Sequence, residues 1–114
     1  MTDINIQTML RQYREAAIAT SSNDSKQQNK SADIVHVCYK SLRTTLEGRE
    51  GIAGLMADTN PQVRLWAASH SLAWSTATAR NVLESLRDNQ EFPSSFTAQL
   101  TLSEFDNGSL SFDY

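Results

Sequence analysis

The sequence predicts an all-α fold, a compact stack of about five to six helices in a single domain over residues 1–114. Apolar residues recur at three- and four-residue steps through most of the chain, which is the spacing of a helix with one buried face. Only four Gly and two Pro occur in 114 residues, whereas a β-sandwich or barrel needs many turn signals. A chain of this length favours one domain with one core.

Two helices are expected before residue 49. The first spans about 3–20, with Thr2 or Asp3 as its N-cap. The second starts near Asp24 or Ser25, after a polar turn, and ends near Gly48, where glycine tolerates a left-handed cap. Its buried stripe consists of Val35, Cys38, Tyr39, Leu42 and Leu46.

Two further helices surround an Asn-Pro pair. A short helix is expected over about 49–57, with Ile52, Leu55 and Met56 facing inward. Asn60 is a good N-cap and Pro61 suits the first helical position. They predict a central helix over about 61–73, because apolar residues lie on more than one of its faces.

The last third is expected to hold two helices and a tail. A fifth helix runs from about Ser75 to Asp88. The stretch after Phe92 fits a strand by its alternation of Phe96, Ala98, Leu100 and Leu102, but a lone strand lacks a partner. We therefore predict a helix over 95–107 with Gly108 as its cap, followed by a possibly extended tail over 109–114 with Leu110, Phe112 and Tyr114.

Composition limits the classes of function. The formal charge is −3 and the pI about 5.2, and Lys and Arg form no basic cluster, so nucleic-acid binding is not expected. Cys38 is the single cysteine, which excludes an internal disulfide. Without a signal sequence or a membrane-spanning apolar run, the expected location is the cytoplasm.

The candidate chemical groups favour structural roles. His36, His70 and Cys38 do not form a metal-ligand spacing, and Cys38 lies on a predicted buried stripe. The carboxylates of Glu47, Glu50 and Asp58 are expected to form solvated ion pairs with nearby arginines. We therefore predict no catalytic residue, no metal site and no cofactor.

Arg64 and the two tryptophans are assigned by position. Arg64 starts the central helix, so its guanidinium is expected to bond turn carbonyls or Asp58, with partner contact as the alternative. Trp66 is expected in the core. For Trp74, at a helix end, the two alternatives are a position at the edge of the core and a role as an interface anchor.

One motif resembles a known repeat. The residues Asp58, Asn60-Pro61, Val63-Arg64, Ala67-Ala68 and Leu72 resemble the start of a HEAT-type repeat, in which a turn with an acidic residue joins two helices. A longer resemblance is to a small bacterial HEAT-like family of unknown function. It is carried by Asn29-Lys30, Leu42-Arg43, the run from Asn60 to Ala68 and the run from Ala79 to Leu86. The resemblance implies an α-α superhelix, and since the full signature occurs once, a long solenoid is excluded.

The functional expectation is a non-enzymatic protein-binding module. In size, acidity and lack of a catalytic motif the chain looks like some immunity proteins, which bind and neutralise a bacterial toxin. A basic toxin, such as a nuclease, would be attracted to an acidic surface. The alternatives are a structural scaffold or homo-oligomeric adaptor and an unrecognised enzyme. The predicted partner-binding residues are Trp74, Glu84, Asp88, Glu91, Glu104, Phe105, Asp106 and Asp113.

Overall fold

The apolar stripes form six α-helices in the computed structural model, which describes residues 2–89 and 94–110. No strand occurs in those two ranges, so the predicted all-α class is confirmed. A short 3-10 turn, Leu55–Ala57, follows the third helix. The helices are α1 (Thr2–Ala19), α2 (Ser25–Leu42), α3 (Leu46–Gly54), α4 (Pro61–Ser71), α5 (Thr76–Asp88) and α6 (Ser94–Asp106).

Helix α4 is central, as its sequence predicts. Helices α1 and α2 pack on each other at one end of the stack, and α5 packs on α6 at the other. Helix α4 contacts α1, α3, α5 and α6. Since its buried residues lie on several faces, burial of apolar surface on both sides holds the two ends together. Those residues are Val63, Leu65, Ala67, Ala68, His70 and Ser71.

The boundary between α2 and α3 differs from the prediction. Helix α2 ends at Leu42, and the side chain of Thr45 caps a new helix by accepting a hydrogen bond from the Gly48 N–H at 3.0 Å. Leu46 therefore lies in the first turn of α3 with 63% of its surface exposed, outside the buried stripe. The threonine cap, which favours a helix start, overrides the expected continuation of α2 to residue 48.

Gly48 is required by a close approach and not by a left-handed cap. It lies inside α3, where a Cβ atom would be 1.9 Å from the Leu42 carbonyl oxygen. A side chain is excluded because the end of α2 occupies that space. Glycine here lets α3 start directly against the last turn of α2.

The predicted caps of α4 and α6 are confirmed. The side-chain oxygen of Asn60 accepts hydrogen bonds from the N–H groups of Gln62 and Val63, and Pro61 is the first residue of α4. Gly108 has a φ of +74°. The N–H of Gly108 bonds the Phe105 carbonyl and that of Ser109 bonds the Glu104 carbonyl, which is the Schellman ending.

Asp58 joins α1 to the turn before α4. Its carboxylate accepts a hydrogen bond from the Arg14 guanidinium at 2.6 Å and one from the Asn60 N–H at 2.9 Å. The hydrogen bond from Arg14 is the main reason why the pKa of Asp58 is lowered, and Arg64 adds a smaller electrostatic effect. Arg14 therefore forms an ion pair with Asp58, and Arg64 is half-buried at the start of α4.

Part of the predicted tail can be placed. Leu110 packs against the core after the turn at Gly108. Phe112 and Tyr114 lie outside the described residues, as do Glu91 and Asp113. Among the described helices, none is both long and apolar enough to cross a bilayer.

Candidate binding groove

A groove lies between α2, α4 and α6, with a volume of about 460 Å³. This is within the range of small-molecule sites, roughly 300–1,000 Å³. The groove is lined by residues of three helices, of the connection between α1 and α2, and of the segment after α6. It therefore depends on the packing of distant parts of the chain. The lining residues are Gln28, Asn29, Ala32 and His36 of α2, Gln62, Leu65, Trp66 and Ser69 of α4, Thr97 and Thr101 of α6, and Thr20 and Leu110.

The part of the groove wall that the described residues form is uncharged at neutral pH. None of those lining residues is Asp, Glu, Lys or Arg. The pKa of its one titratable group, His36, is lowered, chiefly because partial burial disfavours the imidazolium, while Asp33 opposes and Lys40 reinforces the shift. The wall combines apolar surface with neutral hydroxyl, amide and imidazole groups.

Trp66 is held in the groove wall by α1. Its indole Nε1–H donates to the Thr20 hydroxyl at 3.0 Å, and the Gln62 amide donates to the same oxygen at 3.0 Å. Thr20 in turn donates to the Ala17 carbonyl at 2.6 Å. Because this one hydroxyl uses its proton and both acceptor positions, it fixes two side chains of α4 against the end of α1.

An aromatic cluster that contacts Trp66 of the groove joins α1, α2 and α4. His70 is fully buried and stacks on Tyr39, with ring centroids 3.8 Å apart. The Tyr13 hydroxyl and His70 Nδ1 share a hydrogen bond of 2.6 Å. Desolvation lowers the pKa of His70 to about 3, with smaller contributions from His36 and Arg43. The neutral ring thus serves as a packed core group and not as a proton carrier at neutral pH.

The comparisons with known proteins identify a family without an assigned activity. The family described as a domain of unknown function, DUF2019, matches residues 8–106. The chain belongs to this family. No curated protein matches the chain.

One solved structure shows the same fold. The crystal structure of the protein RPA1889 from Rhodopseudomonas palustris CGA009 superimposes with a TM-score of 0.85 at 22% identity. The match covers 93% of this chain and 92% of that one. At this identity the similarity concerns the fold alone, and the chemistry of the groove depends on the residues of this chain.

Four of the acidic residues predicted to bind a partner, Glu84, Asp88, Glu104 and Asp106, lie on α5 and α6 and do not line the groove. Arg80 contacts the Asp106 carboxylate at 2.6 Å and that of Glu84 at 3.5 Å. Arg87 contacts Asp88 at 2.9 Å. These arginines offset part of the negative charge of this surface, and within the described residues no ion pair involves Glu104.

The two aromatic residues of the predicted interface are partly buried. Trp74 stacks on Tyr39 with centroids 6.2 Å apart, and Phe105 packs against the core. Their burial is compatible with the core-edge alternative for Trp74. Neither residue lines the groove.

Sequence reasoning missed most groove residues. Ser69, Thr97 and Thr101 are small polar residues on three turns of α4 and α6, and no local pattern marks them. Trp66, assigned to the core, is half-buried and lines the groove. A helical-wheel plot would have placed Gln62, Trp66 and Ser69 on one face of α4, which is the available signal. Within the described part of the chain, no group of three or more His, Cys, Asp or Glu side chains could hold a metal ion.

Proposed function

We propose that the chain is a non-enzymatic protein-binding module whose groove accepts a segment of another polypeptide. The observation that carries this proposal is the uncharged groove between α2, α4 and α6. Stacked helical pairs commonly bind partners on a surface to which successive pairs contribute. Here three helices from both ends of the stack contribute to one wall.

The composition of the wall supports a polypeptide as the ligand. Leu65, Ala32 and the Trp66 ring supply apolar contact, while Ser69 and Thr101 supply polar atoms between them. Aromatic residues in such positions often dominate the binding free energy of an interface. A peptide carries the matching combination of apolar side chains and backbone amides.

A more specific form of the proposal is that the partner is a bacterial toxin that the chain neutralises. Its support is the small size and the net charge of −3, together with the resemblance to immunity proteins in the absence of a recognised catalytic motif. The alternative is a scaffold or homo-oligomeric adaptor. The exposed apolar residues Ile34 and Val37 on α2 and Phe96 and Leu100 on α6 favour that alternative.

Site-specific photocrosslinking tests the protein-binding proposal. Benzoylphenylalanine replaces Thr97, which is exposed and lines the groove, and the matched control replaces exposed Thr44 in the α2–α3 turn. In the source cells we expect a discrete covalent adduct from position 97 and none from position 44. Equal labelling from both positions, or no adduct from either, contradicts the proposal.

Co-expression tests the toxin form separately. The candidate toxin is the protein encoded by the gene immediately upstream. It is expressed with and without this chain, and the growth of the host cells and the co-purification of the two proteins are measured. Rescue of growth together with a stable complex supports a toxin partner. A groove adduct with an unrelated protein, and no toxicity of the upstream product, leaves a binding module but rejects the immunity role.

A further inference from the structure

Three of the four hydroxyl groups that line the groove, those of Thr20, Ser69 and Thr101, donate their protons to backbone carbonyls of the protein. Ser69 Oγ donates to the Leu65 carbonyl at 2.8 Å, and Thr101 Oγ1 donates to the Thr97 carbonyl at 2.9 Å. Thr20 donates likewise within its own helix. Each of these oxygens therefore faces its surroundings as a hydrogen-bond acceptor.

Two of those acceptors remain for a ligand. The Thr20 oxygen already accepts from Gln62 and Trp66. The oxygens of Ser69 and Thr101 accept no hydrogen bond from the described residues. They belong to α4 and α6, so acceptor atoms are available on two different helices that form the groove.

Two of the N–H donors that line the groove are engaged within the protein. The Trp66 indole N–H is bonded to Thr20, and the side-chain amide of Gln28 donates to the Ser22 carbonyl. A carboxylate or phosphate placed against Ser69 and Thr101 would meet hydroxyl oxygens whose protons already bond backbone carbonyls, so these two groups favour a donor over an anion. A buried ammonium group would find no carboxylate among the described residues that line the groove.

We infer that the groove selects a neutral peptide segment that donates hydrogen bonds, through backbone or side-chain N–H groups, to Ser69 and Thr101. This inference rests on the proposed function and specifies the chemistry of the bound segment. The apolar wall formed by Leu65 and Trp66 takes the side chain between the donors. Specificity then arises from the loss of hydrogen bonds when a donor is absent.

Three small probes that share a leucine side chain separate the contribution of the N–H donors from those of the apolar side chain and of a negative charge. N-acetyl-leucine N-methylamide has two N–H donors, its doubly N-methylated analogue has none, and N-acetyl-leucine carries a carboxylate. Binding is followed by the NMR shift of the Trp66 indole N–H in the groove, with that of Trp74 outside it as the internal reference. We expect the first probe to bind about fivefold or more tightly than either of the others, the ratio that about one net hydrogen bond provides.

The receptor side is tested with matched variants. Ser69→Ala and Thr101→Val each remove one acceptor, so they should reduce the preference for the N–H-bearing probe. Thr44→Val is the control, because Thr44 donates to the Ser41 carbonyl in the same local manner but lies outside the groove. That variant should keep the wild-type preference.

The possible outcomes are decisive. A donor preference that is lost in Ser69→Ala or Thr101→Val and kept in Thr44→Val supports the inference. Equal binding of the donor and N-methylated probes overturns it, as does tighter binding of N-acetyl-leucine or a Trp66 response to none of the three. In each overturning case the crosslinking at position 97 still decides the proposed function, so the two failures are distinguishable.

Discussion

At the scale of single residues, the fold depends on a few polar side chains with several partners. Thr20 accepts from Gln62 and Trp66, and His70 bonds Tyr13 while stacking on Tyr39. Such side chains stabilise the folded state when each of their hydrogen bonds is formed. Removing one member leaves another buried polar atom unsatisfied, which costs more than the hydrogen bond contributed.

Thr20→Val should destabilise the protein by about 1–3 kcal/mol, because two half-buried donors lose their shared acceptor. Chemical denaturation measures the change, and the NMR shift of the Trp66 indole N–H should change with it. Thr44→Val, at an exposed hydroxyl, should alter stability by less than about 0.5 kcal/mol. Equal effects of the two substitutions would contradict a role for Thr20 as a shared acceptor.

His70 makes stability depend on pH. Its pKa is about 3 in the folded protein against an ordinary value of 6.5. Between these values the unfolded chain binds a proton that the folded protein does not, so stability falls as the pH is lowered. The slope approaches about 1.4 kcal/mol per pH unit once the pH is well below 6.5.

Chemical denaturation between about pH 5.5 and 7 keeps the solution well above the ordinary pKa of Asp58, 3.8, so the change in the free energy of unfolding with pH comes mainly from histidines. The double variant Tyr13→Phe/His70→Phe removes both partners of the buried hydrogen bond and should show a flatter profile than wild type. Tyr13→Phe alone should keep the slope. Parallel profiles for wild type and the double variant would show that His70 does not titrate on unfolding.

At the scale of helices, most starts and ends could be predicted from local residues. Asn60-Pro61 and Gly108 mark the start of α4 and the end of α6, because a cap acts through neighbours in sequence. The junction at Thr45 was missed, because an apolar Leu46 at the next helical step favoured one continuous helix. The close approach of Gly48 to Leu42 is a tertiary contact, which no local pattern reveals.

A pair of glycine substitutions tests that contact. Gly48→Ala should destabilise the protein by about 2 kcal/mol or more, because its methyl group overlaps the backbone of α2. Gly54→Ala is the control in the same helix: nothing lies within 4 Å of its added Cβ. It should stabilise the protein by about 0.5–1 kcal/mol. Equal shifts in denaturation midpoint would contradict the steric explanation.

At the scale of the whole molecule, the all-α stack followed from periodicity, whereas the groove did not. Its wall combines Thr20, Ser69 and Thr101, which belong to separate segments and come together only on folding. The acidic cluster on α5 and α6 was visible in the sequence. The ion pair between Arg80 and Glu84 could be predicted from the sequence, since the two residues are four apart on one helix. The ion pair between Arg80 and Asp106 could not, because it requires the packing of α5 on α6.

The groove and the acidic surface of α5 and α6 predict different effects of salt on the rate of association with the partner. If the uncharged groove provides the main contact, the association rate with the partner should be nearly independent of ionic strength, and Glu104→Gln/Asp106→Asn/Asp113→Asn should bind like wild type. If a basic partner binds the acidic cluster, salt and the triple variant should each slow association, because exposed charges are screened beyond about 8–10 Å. Stopped-flow measurements at two salt concentrations distinguish the cases.

The junction at Gly48 also constrains how sequences of this family can diverge. Since the last turn of α2 occupies the space of a Cβ atom, a single replacement there cannot be absorbed by a change of side-chain rotamer. A relative with another residue at the corresponding position should carry a compensating insertion between the two helices, or a rotation of the third helix away from the second. The length of this connection and the identity of one residue should therefore change together across the family.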